Sequence, residues 1–235
     1  MPFLFRLIGC ALFLVATACH AAVKPESVVY YPAGVTKPVP VAVWLHGYRG
    51  FPGALSDKEY FQATADKLKI AIIGIPGTTV LTDDTLVWSE EPAADHHYIQ
   101  EVLSRLAAKQ PLDLKRVALF GFSQGAMVAA DISSRYPEAY LGAIVMSPGG
   151  ITDPKDPAKG TDLHKRQTYY VICGAGEAKG TVELTRYYAS VLKELGGSTT
   201  KKEYEGMSEH TRPPDFKNRF PEWISQILHL EGQTQ

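Results

Sequence analysis

Cysteine is scarce in this sequence. Three occur in 235 residues, and two of them, Cys10 and Cys19, lie within the first nineteen. Cys173 is then alone in the body of the chain. One thiol excludes an internal disulfide framework, so a hydrophobic core must hold the fold. An excess of charge of either sign is also missing: 24 Lys and Arg face 25 Asp and Glu, for a net charge of −1 and a pI near 6.7. That balance removes the electrostatic case for a nucleic-acid partner or an anionic membrane surface. Internal repeats, low-complexity tracts and interdomain linkers are absent too. What is present is apolar material, 45% of residues, enough for one well-buried domain in a chain too short for two comfortable ones.

The start of the chain reads as a targeting segment. Arg6 precedes the apolar run Leu7 to Ala18, LIGCALFLVATA, and small residues follow in ATACHAAV. The run is too short to span a bilayer as a helix and has the layout of a secretory signal. It predicts a signal peptide over 1–21, a catalytic domain over 22–235, and export to the periplasm or the medium. A second option is a loose lipobox at VATAC, with Cys19 lipidated as the mature N-terminus, although the leucine three residues before the cysteine is missing. Neither option predicts stable insertion into a membrane.

Downstream, strand-like and helix-like segments alternate. Strand candidates cover 27–31, 39–47, 70–76, 116–122, 141–148, 168–174 and 199–206. Several are continuous apolar runs of the kind covered on both faces. Helical patterns fall between them at about 55–69, 95–109, 124–136, 182–196 and 216–230. The alternation predicts an α/β fold, a mostly parallel central sheet flanked by helices on both sides. Two long loops, 77–94 with Trp88 and 149–167, fall past strand ends, where such folds build their sites.

One stretch carries chemistry: KRVALFGFSQGAMVAADISSRYPE, residues 115–138. An apolar strand runs into Gly-Phe-Ser-Gln-Gly and emerges as a helix of small residues. The pattern G-x-S-x-G is weak alone, because glycine is common. Between a buried strand and a helix it predicts a strained turn that holds Ser123 up as a nucleophile, with Gly121 and Gly125 leaving room where strand and helix pass. The helix N-terminus beneath Ser123 favours negative charge there.

A serine hydroxyl needs a base to take its proton. Of seven histidines, His20 sits at the leader boundary and His46 at a strand end. His96 and His97 are adjacent rather than spaced as a metal pair, His164 lies in a polar loop, and His229 closes the last helix. His210, in YEGMSEHTRPPDF, follows the last strand on a loop and is the expected base. The base needs a carboxylate to hold its tautomer. Glu177, in VICGAGEAKG after the strand at 168–174, is favoured over Asp153, Asp156 and Glu183.

The order Ser123, Glu177, His210, with His46-Gly47 after an earlier strand, resembles the α/β-hydrolase superfamily over nearly all of the chain beyond the leader. In detail it is similar to compact secreted carboxylesterases of the phospholipase/carboxylesterase, dienelactone-hydrolase and feruloyl-esterase or polyhydroxybutyrate-depolymerase-like groups. VWLHGYRG matches their strand and oxyanion loop, and FGFSQGAMVA their elbow. YYVICGAGE departs from them: Cys173-Gly174 stands for His-Gly, and Glu177 for Asp. The resemblance implies a fold without a large lid domain and an oxyanion hole made by the backbone N–H groups of Tyr48 and Gln124. It implies serine hydrolysis of small or aryl carboxylic esters through an acyl-enzyme, with neither metal nor organic cofactor. Tyr48, Phe51, Trp88 and Met207 are the expected pocket residues. The alternatives are a lysophospholipase or lipase-like lipid esterase, and a non-catalytic binding protein that keeps the fold.

Overall fold

A computed structural model describes residues 25–52, 57–150, 154, 156 and 158–230. The expected signal peptide at 1–21 and Cys19 lie outside the described residues. In chain order the elements are β1 (Val28–Tyr30), β2 (Val39–Leu45), α1 (Lys58–Leu68), β3 (Ala71–Ile75), β4 (Thr79–Val80), β5 (Leu86–Val87), α2 (Pro92–Ala107), β6 (Leu112–Phe122), α3 (Gln124–Arg135), β7 (Gly142–Met146), β8 (Thr168–Gly174), α4 (Lys179–Glu194), β9 (Ser198–Tyr204) and α5 (Phe216–Ile227). Seven strands form one sheet in the order β1-β3-β2-β6-β7-β8-β9. β1 is antiparallel to β3, and every other pairing is parallel.

The apolar runs explain the sheet. In β2 every residue is buried. Val41, Val43 and Leu45 face one core with α2, α3 and α4, while Ala42 and Trp44 face another with α1 and α5. Strands covered on both faces lose the in-out alternation of a half-exposed sheet, and each fully buried Leu, Ile, Val or Phe contributes about 1.5–3 kcal/mol.

Two elements depart from the sequence pattern. β6 begins at Leu112, four residues before the expected strand start at 116, because Leu112 pairs with Val39 across a register shift. The loop at 77–94 contains the small antiparallel hairpin β4-β5. Strands of two residues are too short to show a period.

α5 contains Pro221, which has no N–H to give the Lys217 carbonyl four residues earlier. The Tyr60 hydroxyl of α1 donates to that carbonyl instead, at 2.9 Å. Burial above all pushes the Tyr60 phenol up to about 12, so it remains a donor throughout the neutral range. Tyr60→Phe is therefore expected to cost about 0.5–1.5 kcal/mol in urea unfolding. An unchanged midpoint would mean that water replaces the bond without loss.

Candidate active site

The turn after β6 places Ser123 at φ 55° and ψ −121°, in the left-handed half of backbone space. Such strain costs about 1–3 kcal/mol and persists only where neighbours over-determine it. Here the Ser123 N–H donates to the Met146 carbonyl at 3.0 Å, and the Ser123 carbonyl accepts from Ala126 at 3.0 Å and Gly149 at 3.2 Å. The flanking glycines are forced by close approach. A Cβ on Gly125 would stand 2.1 Å from the Leu45 carbonyl oxygen and 2.5 Å from that of His46, and one on Gly121 would stand 2.2 Å from the Gly125 carbonyl. These neighbours are backbone and cannot swing aside. Gly125→Ala is expected to lose about 3 kcal/mol or more; a soluble variant that melts with the native protein would contradict this packing.

Glu177 lies in the turn after β8 with its side chain only 1% exposed. Its Oε2 is 2.7 Å from His210 Nδ1. Its Oε1 accepts from the Ser147 hydroxyl and from the Gly174 N–H, both at 2.7 Å. A carboxylate removed from water in this way has its hydrogen-bonding capacity taken up by protein. Sequence reasoning missed Ser147; its only trace there is the Ser-Pro-Gly-Gly that ends the β7 run. His210 stands on the loop between β9 and α5, and its ring lies 4.6 Å from that of Phe122. With Nδ1 given to the carboxylate, Nε2 is left as the basic nitrogen. Of the rival acids, Asp156 is exposed, Glu183 is exposed on α4 near Lys179 at 3.6 Å, and Asp153 lies outside the described residues.

His46, His96 and His164 have structural partners. His46, buried, accepts from the Gly77 N–H at Nε2 (2.8 Å), so its Nδ1 carries the proton toward the Gly47 carbonyl at 2.8 Å. His96 stacks on Tyr136 at 3.7 Å between ring centres, His164 is buried against Ser134 and Thr161, and His97 and His229 are exposed.

Ser123 and His210 line one cavity of about 370 Å³ together with Tyr48, Gly149, Gly150, Ala178 and Thr181. Among the hydrogen bonds of the described residues, none joins Ser123 Oγ to the His210 ring, although both groups face the same cavity. Among the described residues, no acceptor takes the N–H of Tyr48 or of Gln124, the first residue of α3. Of the four expected pocket residues, Tyr48 lines this cavity and the other three lie elsewhere. Trp88 is 1% exposed in the core, its indole N–H donating to the His46 carbonyl at 2.9 Å. Phe51 is 47% exposed and outside the cavity lining, and Met207 packs its backbone against Gly174 and Gly176. Aromatic bulk suggested a pocket, but a buried indole N–H needs an acceptor, and Trp88 finds it inside. The small residues that line the cavity, Gly149, Gly150, Ala178 and Thr181, carry no mark in the sequence.

No curated protein is similar enough to match this chain. Solved structures share its fold. A Bacillus cereus carboxylesterase is 16% identical with a TM-score of 0.67, covering 86% of this chain and 94% of its own. Esterase PE8 is 19% identical with a TM-score of 0.67, covering 88% of this chain and 100% of its own. An S-formylglutathione hydrolase from Agrobacterium tumefaciens is 18% identical with a TM-score of 0.63, covering 86% of this chain and 89% of its own. The Esterase family model matches residues 23–171, which hold the sheet from β1 into β8, the His46-Gly47 loop and the Ser123 elbow. A strained serine on a strand-to-helix turn, on a seven-stranded α/β sheet and inside that match, identifies the chain as a carboxylic ester hydrolase of the Esterase family, in the α/β-hydrolase superfamily.

Proposed function

We propose that this esterase cleaves small or aryl carboxylic esters through Ser123, His210 and Glu177, by way of an acyl-enzyme. The observation that carries the reading is the buried Glu177 bonded to His210 Nδ1 at 2.7 Å, with His210 and the strained Ser123 on one cavity. Ser123 Oγ attacks the ester carbonyl while its proton passes to His210 Nε2. The tetrahedral oxyanion accepts hydrogen bonds from the Tyr48 and Gln124 N–H groups, each such donor contributing about 2.7–4 kcal/mol to the transition state. The carbon–oxygen bond to the alcohol then breaks, and His210 returns the proton to the leaving oxygen. Water, deprotonated by His210, releases the acid from Ser123 by the same route. Glu177 stabilises the imidazolium throughout without taking its proton.

Cavity size supports the substrate class. About 370 Å³ lies near the low end of small-molecule sites. The exposed Tyr48 ring at its edge suits an aryl group. The test is a fluorophosphonate, with the adduct located by mass spectrometry, beside a series of p-nitrophenyl esters from acetate to palmitate. The expected results are one adduct on Ser123 and the highest kcat/KM among short acyl chains. An unlabelled Ser123 would reject the serine relay, and a preference for palmitate would reject the small-ester reading.

A further inference from the structure

We infer that Trp88 is a positioning residue that holds the two halves of the oxyanion hole in register, an inference that rests on the proposed hole at Tyr48 and Gln124. The hole is assembled from two segments far apart in sequence. One is the loop after β2, His46-Gly47-Tyr48; the other is the first turn of α3. Trp88 binds both. Its indole N–H donates to the His46 carbonyl at 2.9 Å, two residues before Tyr48, and its ring lies 5.4 Å from the His46 ring. Its backbone N–H donates to Gln124 Oε1 at 3.2 Å, and its carbonyl accepts from Gln124 Nε2 at 3.3 Å. The side chain of Gln124 is thus read by Trp88 while its N–H remains for the substrate.

The brace is itself held. Gln124 Nε2 also donates to the buried Glu90 carboxylate at 2.8 Å. Asp95, buried in the first turn of α2, accepts from the N–H groups of Ser89 and Glu90 and from the Ser89 hydroxyl, at 2.8–3.1 Å. At the other end of the oxyanion loop, Leu86 of the β4-β5 hairpin bridges Gly50 and donates to its carbonyl at 3.3 Å. The segment 86–90 therefore grips the oxyanion loop at both ends and Gln124 at its side chain. Catalysis by preorganised donors fails when a donor moves by a fraction of an ångström, even if substrate still binds.

The experiment replaces Trp88 by β-(3-benzothienyl)alanine, which keeps the ring's shape and lacks only the N–H, and alongside it makes Trp88→Phe and Gln124→Met. For p-nitrophenyl acetate, kcat is expected to fall about 10- to 100-fold with KM changed less than threefold, because the loss falls on the transition state. Affinity for an aryl trifluoromethyl ketone, which forms a hemiketal oxyanion on Ser123, is expected to fall by the same factor. A merely structural role would lower the melting temperature and leave kcat per folded molecule and ketone affinity unchanged. The benzothienyl variant with both values within twofold of the native protein overturns the inference. Ser123→Ala in the same assay separates the two levels. Turnover surviving there removes the serine reading, whereas turnover lost there with a native benzothienyl variant removes only the role of Trp88.

Discussion

Ser123→Ala is expected to lower kcat for p-nitrophenyl acetate by about 10⁴- to 10⁶-fold, which is roughly 5–8 kcal/mol of transition-state stabilisation. The substitution deletes one oxygen and leaves the elbow intact. Alanine has a Cβ like serine and meets the same strain at φ 55°, which is imposed by the Met146, Ala126 and Gly149 backbone bonds rather than by the hydroxyl. The melting temperature should therefore move little, and the loss belongs to chemistry. Under the proposed mechanism, what survives is the hole and the cavity, which still bind and polarise the ester without forming an acyl-enzyme. An alanine variant retaining more than about one per cent of native kcat would place the nucleophile elsewhere.

Glu177→Gln is expected to lower kcat by about 10³- to 10⁴-fold, more than its conservative shape suggests, and the reason lies on the side of Glu177 away from His210. Two donors, the Ser147 hydroxyl and the Gly174 N–H, converge on Oε1 at 2.7 Å. A glutamine there would turn its carbonyl oxygen to them and its NH₂ to His210. The imidazole must then accept at Nδ1 and carry its proton on Nε2, the nitrogen that should receive the serine proton. The amide is held in the wrong orientation by the Ser147 hydroxyl and the Gly174 N–H. Glu177→Asp keeps the charge but is one methylene shorter, so it should lose less than the glutamine variant. Steady-state kinetics of both variants test the argument; glutamine within tenfold of native would mean that another carboxylate orients His210.

The chain itself determined a good deal. Continuous apolar runs wrote out the central strands, such as β2, β3 and β7, because a strand covered on both faces needs apolar residues at every position. The elbow was legible because steric exclusion acts over neighbouring residues: strand, Gly121, Ser123, Gly125 and helix occupy one short window. The family match over 23–171 includes that window. Glu177 and His210 lie beyond it, 33 residues apart, and their meeting is a matter of tertiary structure: β8 and β9 are neighbours at one end of the sheet, and the turns that leave them converge. Sequence offered four carboxylates; burial and the Ser147 and Gly174 donors distinguish Glu177 from the exposed Asp156 and Glu183. Trp88 shows the limit most clearly. Its size and its loop suggested a pocket wall, yet the direction of one indole N–H, invisible in any residue pattern, turns it inward to the His46 carbonyl. Local sterics and hydrophobic period can be read along a chain, whereas the partner of a buried donor is fixed only when distant backbone segments pack together.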